Sequence, residues 1–300
     1  MGDLFGLLII ILFVFALVKF PFLRYTLKHP IKVFKTAVYD ARMYFKHKKY
    51  NECKEFGKIR MYCAKGTQVF GCGKTLTAVK DALDIYNKYD GLPVWDDEKQ
   101  EFVTQHVHIV SNVELKTIPY YRWVGEKQFT EFEKFGFEQQ DITIFILDEA
   151  GAEFNSRNFK NNISMEFLTK LLQSRKNKMS LFLTSQRFGF TDKILRETCD
   201  VVYACRKIWR FVMLFEYDAY EAERCDNYTM LNPLSVQVWF ATNKDYNAYD
   251  TSQLVERFKQ IEMEGGFLTT EEILATRGED LANIDMVQNK LKKRYRRKTK

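Results

Sequence analysis

The sequence lacks the cysteine patterns that bind zinc. None of its cysteines forms a CxxC pair or a zinc-ligand spacing. His106 and His108 would share one face of a strand, but two ligands without partners make a poor metal site. These absences favour reduced, buried thiols in a cytosolic domain. The cysteines are Cys53, Cys63, Cys72, Cys199, Cys205 and Cys225.

The sequence also lacks internal repeats and long linkers rich in proline, glycine and serine. Its 300 residues give room for one sizeable α/β domain with appendages. A hydrophobic fraction of 46% is ordinary for a folded protein and argues against global disorder. The net charge of +7 is modest, but the basic residues are unevenly placed along the chain.

The stretch Gln-Val-Phe-Gly-Cys-Gly-Lys-Thr, residues 68–75, has the setting of a phosphate-binding loop. It follows the apolar run Ile59–Cys63 and precedes a predicted helix over Leu76–Tyr89, which gives the required order of strand, loop and helix. The first glycine of the usual pattern is replaced by Gln68, and Gly66 comes two residues too early. We therefore interpret the motif as G-x-G-K-T, with an ordinary glycine-rich turn as the alternative.

The residue types in this loop suit ATP and Mg²⁺. The glycines permit backbone conformations that a side chain would block, so that the loop N–H groups converge on phosphate oxygens. Lys74 would reach the β and γ phosphates, and the Thr75 hydroxyl would hold Mg²⁺. The predicted nucleotide-binding residues are Gly71, Cys72, Gly73, Lys74, Thr75 and Leu76.

A second stretch, Asp-Ile-Thr-Ile-Phe-Ile-Leu-Asp-Glu at residues 141–149, is a nearly continuous apolar strand that ends in two acids. A buried parallel strand of this kind delivers carboxylates to its carboxyl edge. Asp148 would hold the Mg²⁺ water shell, and Glu149 would orient or deprotonate the attacking water. A strand that ends at a solvated acidic turn is the alternative. The two motifs in this order predict an NTPase.

Two further predicted strands carry polar residues at their ends. Met179–Gln186 ends on an amide that can sense the γ phosphate or hold the attacking water. Arg175, just before this strand, is the candidate for a trans-acting arginine finger, with an ordinary surface charge as the alternative. His106–Val113 contains Asn112, which either contacts the active site or caps the strand.

The remaining pattern completes an α/β fold. Asp90–Glu101 is predicted to be a polar connection, and Asp200–Cys205 a fifth core strand. Trp209–Tyr217 and Ser235–Phe240 are predicted to be an antiparallel extension. The fold class is therefore α/β: a P-loop NTPase with a mainly parallel sheet flanked by helices, preceded by an N-terminal transmembrane helix.

The transmembrane prediction rests on an uncharged run from Leu4 to Val18, which extends to Leu23 around a single lysine. It is long enough to cross a bilayer and lacks the basic start and small-residue cleavage site of a signal peptide. We expect an uncleaved anchor rather than a buried helix. Basic residues crowd its C-terminal side, so the bulk of the chain should face the cytoplasm.

Basic segments flank the predicted ATPase domain. Between residues 26 and 46, apolar residues recur at helical spacing among lysines, which suits a helix lying on anionic lipid. A helix packed against the ATPase core is the alternative. From Thr251 the pattern is helical and charged. The tail, residues 290–300, has eight basic residues that suit nucleic acid or lipid headgroups, or a tail that stays solvated.

Taken together, the motifs resemble those of the zonular occludens toxin-like ATPases. The resemblance rests on the glycine-lysine loop, a strand that ends Val-Ser-Asn-Val, a strand that ends Leu-Asp-Glu-Ala, and a block that opens Ser-Arg and closes Thr-Ser-Gln. It spans residues 57–245. This family includes the gene I assembly proteins of filamentous phages and belongs to the wider FtsK/HerA group of P-loop motors.

The resemblance implies an inner-membrane ATPase that works as a homo-oligomeric ring and exports or packages a phage genome. Its partners would be membrane lipid, phage DNA or coated single-stranded DNA, and phage assembly proteins. Family members usually carry the membrane helix after the ATPase domain, whereas here it comes first. A host with a single membrane, or a packaging role, would suit this layout better. A conjugation or plasmid-coupling ATPase and a nucleotide-binding membrane scaffold without turnover are the alternatives.

Four segments are predicted. They are a transmembrane anchor (residues 1–24), a basic juxtamembrane helix (25–56), a P-loop ATPase domain (57–245) and a helical C-terminal region with a basic tail (246–300).

Overall fold

The computed structural model describes residues 15, 17–131, 138–154, 164–225 and 227–250. Most of the predicted anchor and everything from residue 251 onward, including the basic tail, lie outside the described residues. Within the described part of the chain, no helix is both long enough and apolar enough to cross a membrane.

The chain divides into two compact units, and residues up to 51 with residues 94–102 form the first. Its helices are α1 (Pro21–Lys28) and α2 (Pro30–Lys46). The prediction of a single helix over residues 26–46 was wrong, because the helix breaks at His29. Pro30 has no N–H to continue α1 and disfavours helical backbone at the residue before it. Neither helix contains a buried residue.

The C-terminal end of α2 packs on residues 94–102 within this first unit. The His47 ring stacks on the Trp95 ring with centroids 4.3 Å apart, and the Lys48 ammonium lies 5.5 Å from the Phe102 centroid. Residues 94–102 are the tip of a hairpin of β2 (Leu92–Asp96) and β3 (Glu101–Gln105). The polar connection predicted over Asp90–Glu101 is therefore formed by this hairpin.

The second unit, residues 52–93 and 103 onward, is built on an eight-stranded sheet. The strand order is β10-β9-β8-β1-β7-β6-β4-β5. The six strands from β8 to β5 are parallel, and β9 and β10 extend the sheet in antiparallel fashion, as predicted. The strands are β1 (Ile59–Ala64), β4 (Val107–Ser111), β5 (Tyr121–Arg122), β6 (Ile142–Leu147), β7 (Met179–Ser185), β8 (Val201–Ile208), β9 (Phe211–Asp218) and β10 (Ser235–Phe240).

Apolar clusters cover both faces of this sheet. One cluster contains Ala78, Val79 and Ala82 of α3, and the other contains Phe167 of α6 and Leu195 of α7. Every residue of β6 and β7 is buried, which explains why these two strands are almost continuously apolar in sequence. The helices of this unit are α3 (Lys74–Tyr89), α4 (Glu126–Thr130), α5 (Ala150–Glu153), α6 (Met165–Leu172), α7 (Lys193–Thr198), α8 (Ala219–Arg224) and α9 (Asn243–Tyr246).

A buried hydrogen bond ties α3 to β1. The Tyr62 hydroxyl donates to Asp81 Oδ2 at 2.8 Å, and the Tyr62 side chain is fully buried. Burial raises the pKa of Asp81, although the hydrogen bond from Tyr62 acts in the opposite direction. This pair fixes the helix that follows the phosphate loop against the strand that precedes it.

Candidate nucleotide-binding site

The phosphate loop joins β1 to α3 at the carboxyl edge of the sheet. Gly71 and Gly73 both have left-handed backbone, with φ of +64° and +90°, and Gly73 is the residue before the first turn of α3. A Cβ at Gly73 would also lie 3.2 Å from Val212 Cγ1. Backbone strain and crowding therefore explain glycine at this position.

The structure accounts for glutamine at the place of the first consensus glycine. Gly66, two residues earlier, has a φ of +68°, whereas Gln68 does not have positive φ. The Lys207 backbone N–H donates to Gln68 Oε1 at 3.4 Å, so the Gln68 side chain is directed toward the end of β8. The left-handed residues of this loop are Gly66, Gly71 and Gly73, and position 68 does not require a glycine.

Lys74 closes the loop on itself. Its ammonium donates to the Val69 carbonyl at 2.9 Å and lies 3.8 Å from Cys72 Sγ. Cys72 and Leu76 both pack in the apolar core and also line a cavity beside the loop. Of the predicted loop residues, these two contribute packing, while Lys74 places a buried cation at the mouth of the loop.

Asp148 follows β6 and lies beside the first turn of α3. The Thr75 hydroxyl donates to Asp148 Oδ1 at 2.6 Å, and the Thr184 hydroxyl donates to the same oxygen. Asn112 holds the Asp148 backbone from the other side. Its amide donates to the Asp148 carbonyl at 2.9 Å and its Oδ1 accepts from the Asp148 N–H at 2.8 Å. The alternative in which Asn112 contacts the site is the one that the structure supports.

Glu149 has a strained backbone next to this carboxylate. Its φ of +53° lies in the left-handed region, which non-glycine residues adopt rarely and mostly where the surrounding structure requires it. Its N–H donates to the Thr184 hydroxyl at 3.1 Å. Burial raises the pKa of Glu149, and the Asp148 carboxylate raises it further, against the lowering effects of Lys74 and a hydrogen bond with Gln186.

These contacts bring five of the predicted residues together. Lys74 and Thr75 begin α3, directly after the loop that follows β1. Asp148 and Glu149 follow β6, Gln186 follows β7, and all five residues meet at one edge of the sheet. Parallel strands place their carboxyl ends at the same edge, which is where open α/β sheets bind ligands.

The residues at this edge suit Mg²⁺ and a nucleoside triphosphate. Thr75 and Asp148 offer hard oxygen ligands within hydrogen-bonding distance of each other. The described residues contain no group of three or more His, Cys, Asp and Glu side chains that could hold a metal. Mg²⁺ commonly uses one or two protein oxygens together with water and phosphate, so this sparse set fits Mg²⁺ bound with a nucleotide.

Arg175 lies away from these residues. It is exposed in the turn before β7, at the amino edge of the sheet, where Gly57 packs against its backbone. The site is at the carboxyl edge, and β7, Met179–Ser185, spans about 20 Å between the two edges. Within one subunit, Arg175 cannot reach the phosphate loop.

The sequence did not indicate four residues around the site: Thr184, Lys207, Tyr246 and Tyr249. Thr184 could have been found, because it is two residues before Gln186 and therefore shares its strand face. Lys207, Tyr246 and Tyr249 line the cavity beside the loop, whose volume is about 240 Å³. Burial raises the pKa of Tyr249, as does the nearby Asp148 carboxylate.

The fold and the site geometry are consistent with a P-loop NTPase. A protein-family model described as zonular occludens toxin (Zot) matches residues 62–254, which is more than half of the chain. The chain belongs to the Zot family.

Among solved structures, the chain is similar to the N-terminal domain of zonular occludens toxin from Neisseria meningitidis. The two share 17% identity over 65% of this chain and 100% of that chain, with a TM-score of 0.43. It is also similar to the genome packaging NTPase B204 from Sulfolobus turreted icosahedral virus 2 in complex with AMPPCP. The identity is 12% over 60% of this chain and 96% of that chain, with a TM-score of 0.38. No curated protein matches the sequence.

Proposed function

We propose that this chain is a membrane-anchored P-loop ATPase that couples ATP hydrolysis to phage assembly and export or to DNA packaging and translocation. The proposal rests on one observation. The Thr75 hydroxyl donates a hydrogen bond of 2.6 Å to Asp148 Oδ1, and Lys74 and Glu149 lie beside this pair. A phosphate loop, a metal-binding pair and a half-buried general base are the parts that phosphoryl transfer to water needs.

Each residue has a distinct part in the proposed reaction. The Lys74 ammonium leaves the Val69 carbonyl and binds the β and γ phosphates. Thr75, and Asp148 through water, would hold Mg²⁺, which supplies positive charge to the phosphate oxygens when bound. Glu149 accepts the proton of the attacking water, and its raised pKa makes it a stronger base than an ordinary glutamate. Gln186 orients Glu149 and the water.

The loop geometry favours turnover over a scaffold that binds nucleotide weakly. The scaffold alternative is favoured if a Cβ at position 68 crowds the phosphates, because the usual motif has glycine there. Gln68 does not have positive φ, and its side chain extends to the Lys207 backbone N–H. Gly66 provides the left-handed conformation instead. The strained Glu149 backbone is a further sign of a working site, since strain of this kind clusters at active sites.

Hydrolysis tests the proposal with the purified full-length chain. We expect ATP hydrolysis that single-stranded DNA stimulates. Lys74→Ala should abolish nucleotide binding because it removes the only loop cation predicted to reach the phosphates. Glu149→Gln should bind ATP and lose hydrolysis. Absence of ATP binding and turnover in the folded, oligomeric parent protein would contradict the proposal.

Membership of the Zot family supports the phage setting. We propose in addition that the chain works as a homo-oligomeric ring, as the resemblance to the zonular occludens toxin-like ATPases implies. In such a ring, Arg175 of one subunit would act on the site of the next, since it is exposed and far from its own loop. Arg175→Ala should lower turnover in the assembled oligomer and not in the monomer. Lys176→Ala is the matched control, because Lys176 is the adjacent exposed cation. Unchanged turnover of oligomeric Arg175→Ala would remove the finger assignment.

We propose that the chain lies at the host inner membrane with its bulk in the cytoplasm, and helix α2 supports contact with a lipid surface. Its apolar side chains are exposed, including Ile31 at 83%, Phe34 at 73% and Phe45 at 70%. A basic helix with an uncovered apolar face suits an anionic lipid surface.

Fluorescence can test this placement of α2. We expect the tryptophan of Phe34→Trp to show a blue shift on anionic vesicles, relative to the parent protein. Thr36→Trp, on the opposite side of the helix, should not shift. Equal shifts of the two variants, or no shift of either, would contradict a lipid-facing α2.

A further inference from the structure

A cavity of about 240 Å³ adjoins the phosphate loop, and one of its walls has no part in binding phosphate or metal. Residues 71–76 form the loop side, and Lys207, Tyr246 and Tyr249 form the other. Lys207 comes from the end of β8, while the two tyrosines come from the chain after β10. The far wall is therefore aromatic and cationic, in contrast to the oxygen ligands around Asp148.

Hydrogen bonds fix the segment that carries both tyrosines, residues 241–250, at its two ends. At the first end, the Ala241 N–H donates to the Arg210 carbonyl at 2.8 Å, and the Arg210 guanidinium donates to the Ala241 carbonyl at 3.1 Å. At the second end, the Lys116 N–H donates to the Ala248 carbonyl at 2.8 Å, and Leu115 forms a β-bridge with Tyr249. The tyrosines thus belong to a segment that is held in place across the cavity.

The order of the strands indicates which side of the cavity would hold the terminal phosphate and which side would hold the nucleoside. The phosphate loop follows β1, which lies between β8 on one side and β7 and β6 on the other. The proposed base and metal ligands, Glu149 and Asp148, follow β6, so the terminal phosphate must lie on that side of the loop. The nucleoside end of the ligand then extends to the β8 side, where Lys207 and Tyr246 lie.

The chemistry of that side suits a nucleobase. The Lys207 ammonium lies 4.7 Å from the centroid of the Tyr246 ring, and the Arg210 guanidinium lies 5.5 Å from it. The ring is half-buried and packs against the apolar core, so its orientation is restrained. Bases stack on aromatic side chains, and an adjacent cation also attracts the electron-rich face of the base.

We propose that Tyr246, oriented by Lys207 and carried on residues 241–250, is the platform on which the nucleobase of the bound nucleotide stacks. This inference rests on the proposed ATPase function and names a residue that sets affinity for the nucleoside part of the ligand. The phosphate loop alone binds the triphosphate part. Removal of the aromatic ring therefore weakens binding of ATP and leaves binding of a triphosphate without a nucleoside unchanged.

Calorimetric titration of the full-length chain with ATP and with inorganic tripolyphosphate, both with Mg²⁺, separates these contributions. Tyr246→Leu keeps apolar packing and removes the ring. We expect it to weaken ATP binding about tenfold to a hundredfold, with tripolyphosphate affinity unchanged. Tyr246→Phe should restore ATP affinity. Tyr220→Leu, at an exposed tyrosine on α8, is the matched control and should change neither affinity.

The outcomes separate the inference from the function on which it rests. Unchanged ATP affinity in Tyr246→Leu, or an equal loss for both ligands, overturns the stacking platform and leaves the ATPase proposal standing. A folded parent protein that binds neither ligand overturns both. Selective loss of ATP affinity that Tyr246→Phe reverses supports the platform, because a purely structural defect would affect tripolyphosphate as well.

Discussion

Replacement of Asn112 by alanine removes the one side chain that holds both backbone polar groups of Asp148. The two hydrogen bonds measure 2.9 Å and 2.8 Å, and both residues are partly buried. A typical intramolecular hydrogen bond contributes about 1 kcal/mol net, so the loss of both should lower the free energy of unfolding by about 1–3 kcal/mol. Asp148 would also lose its fixed position beside Thr75. Misplacement of a catalytic group by about 1 Å can cost about a hundredfold in rate.

Urea denaturation and steady-state ATP turnover measure the two effects of Asn112→Ala on the same preparation. We expect a lower unfolding midpoint and a fall in kcat of about a hundredfold. Asn177→Ala is the matched control, because its side-chain nitrogen is buried without a hydrogen-bond partner among the described residues. It should change stability less and leave kcat unchanged. Parental kcat in folded Asn112→Ala would refute the reasoning that this amide positions the metal-binding carboxylate.

Three further predictions follow from buried ionisable groups. Tyr62→Phe removes the hydrogen bond from the buried Tyr62 hydroxyl to the half-buried Asp81 carboxylate, so urea denaturation should show a loss of about 1 kcal/mol. Because the pKa of Glu149 is raised, kcat should fall on acidification at a higher pH than it would with an ordinary glutamate. The hydrogen bond with Gln186 lowers this pKa, so Gln186→Ala should move the acid limb of the kcat profile to a still higher pH. Glu149→Gln should unfold at a higher temperature than the parent protein at neutral pH, because folding favours protonated Glu149 and that advantage is lost as the pH rises through its pKa.

Each of these predictions has a clear contrary result. Equal stability of Tyr62→Phe and the parent protein would show that the Asp81 contact adds nothing to the packing of α3. If kcat of Gln186→Ala falls on acidification at the same pH as kcat of the parent protein, or at a lower pH, the Gln186 hydrogen bond does not lower the pKa of Glu149. An increase in the thermal stability of Glu149→Gln that persists at low pH, where the parent residue is already protonated, would exclude burial of its charge as the cause.

Local signals in the sequence were sufficient to predict the core of the fold. The Gly-Lys-Thr loop and the apolar run over 142–147 are contiguous motifs, and their physical requirements act over a few residues. Parallel strands then bring Thr75, Asp148 and Gln186 to one edge without any further information. The same reasoning could not distinguish an active-site Asn112 from a strand cap, because that depends on the register between β4 and β6.

Features that depend on distant parts of the chain were missed. Tyr246 and Tyr249 lie about 170 residues after the loop, and long-range hydrogen bonds to Arg210 and to residues 114–116, with packing in the core, bring them to the cavity. Pro30 is a local signal for the helix break before it, but the helical spacing of the apolar residues concealed this signal. The β2–β3 hairpin was concealed by the polar residues of its turn.

The most direct test of the proposed hydrolysis mechanism is single-turnover hydrolysis by Glu149→Gln and the parent protein when both are saturated with ATP and Mg²⁺. We predict equal ATP occupancy, rapid product formation by the parent protein and almost no product with the variant, since only the proton acceptor has changed. Equal product formation by the two proteins would show that Glu149 is not the general base. The reaction assigned to this edge of the sheet would then be wrong.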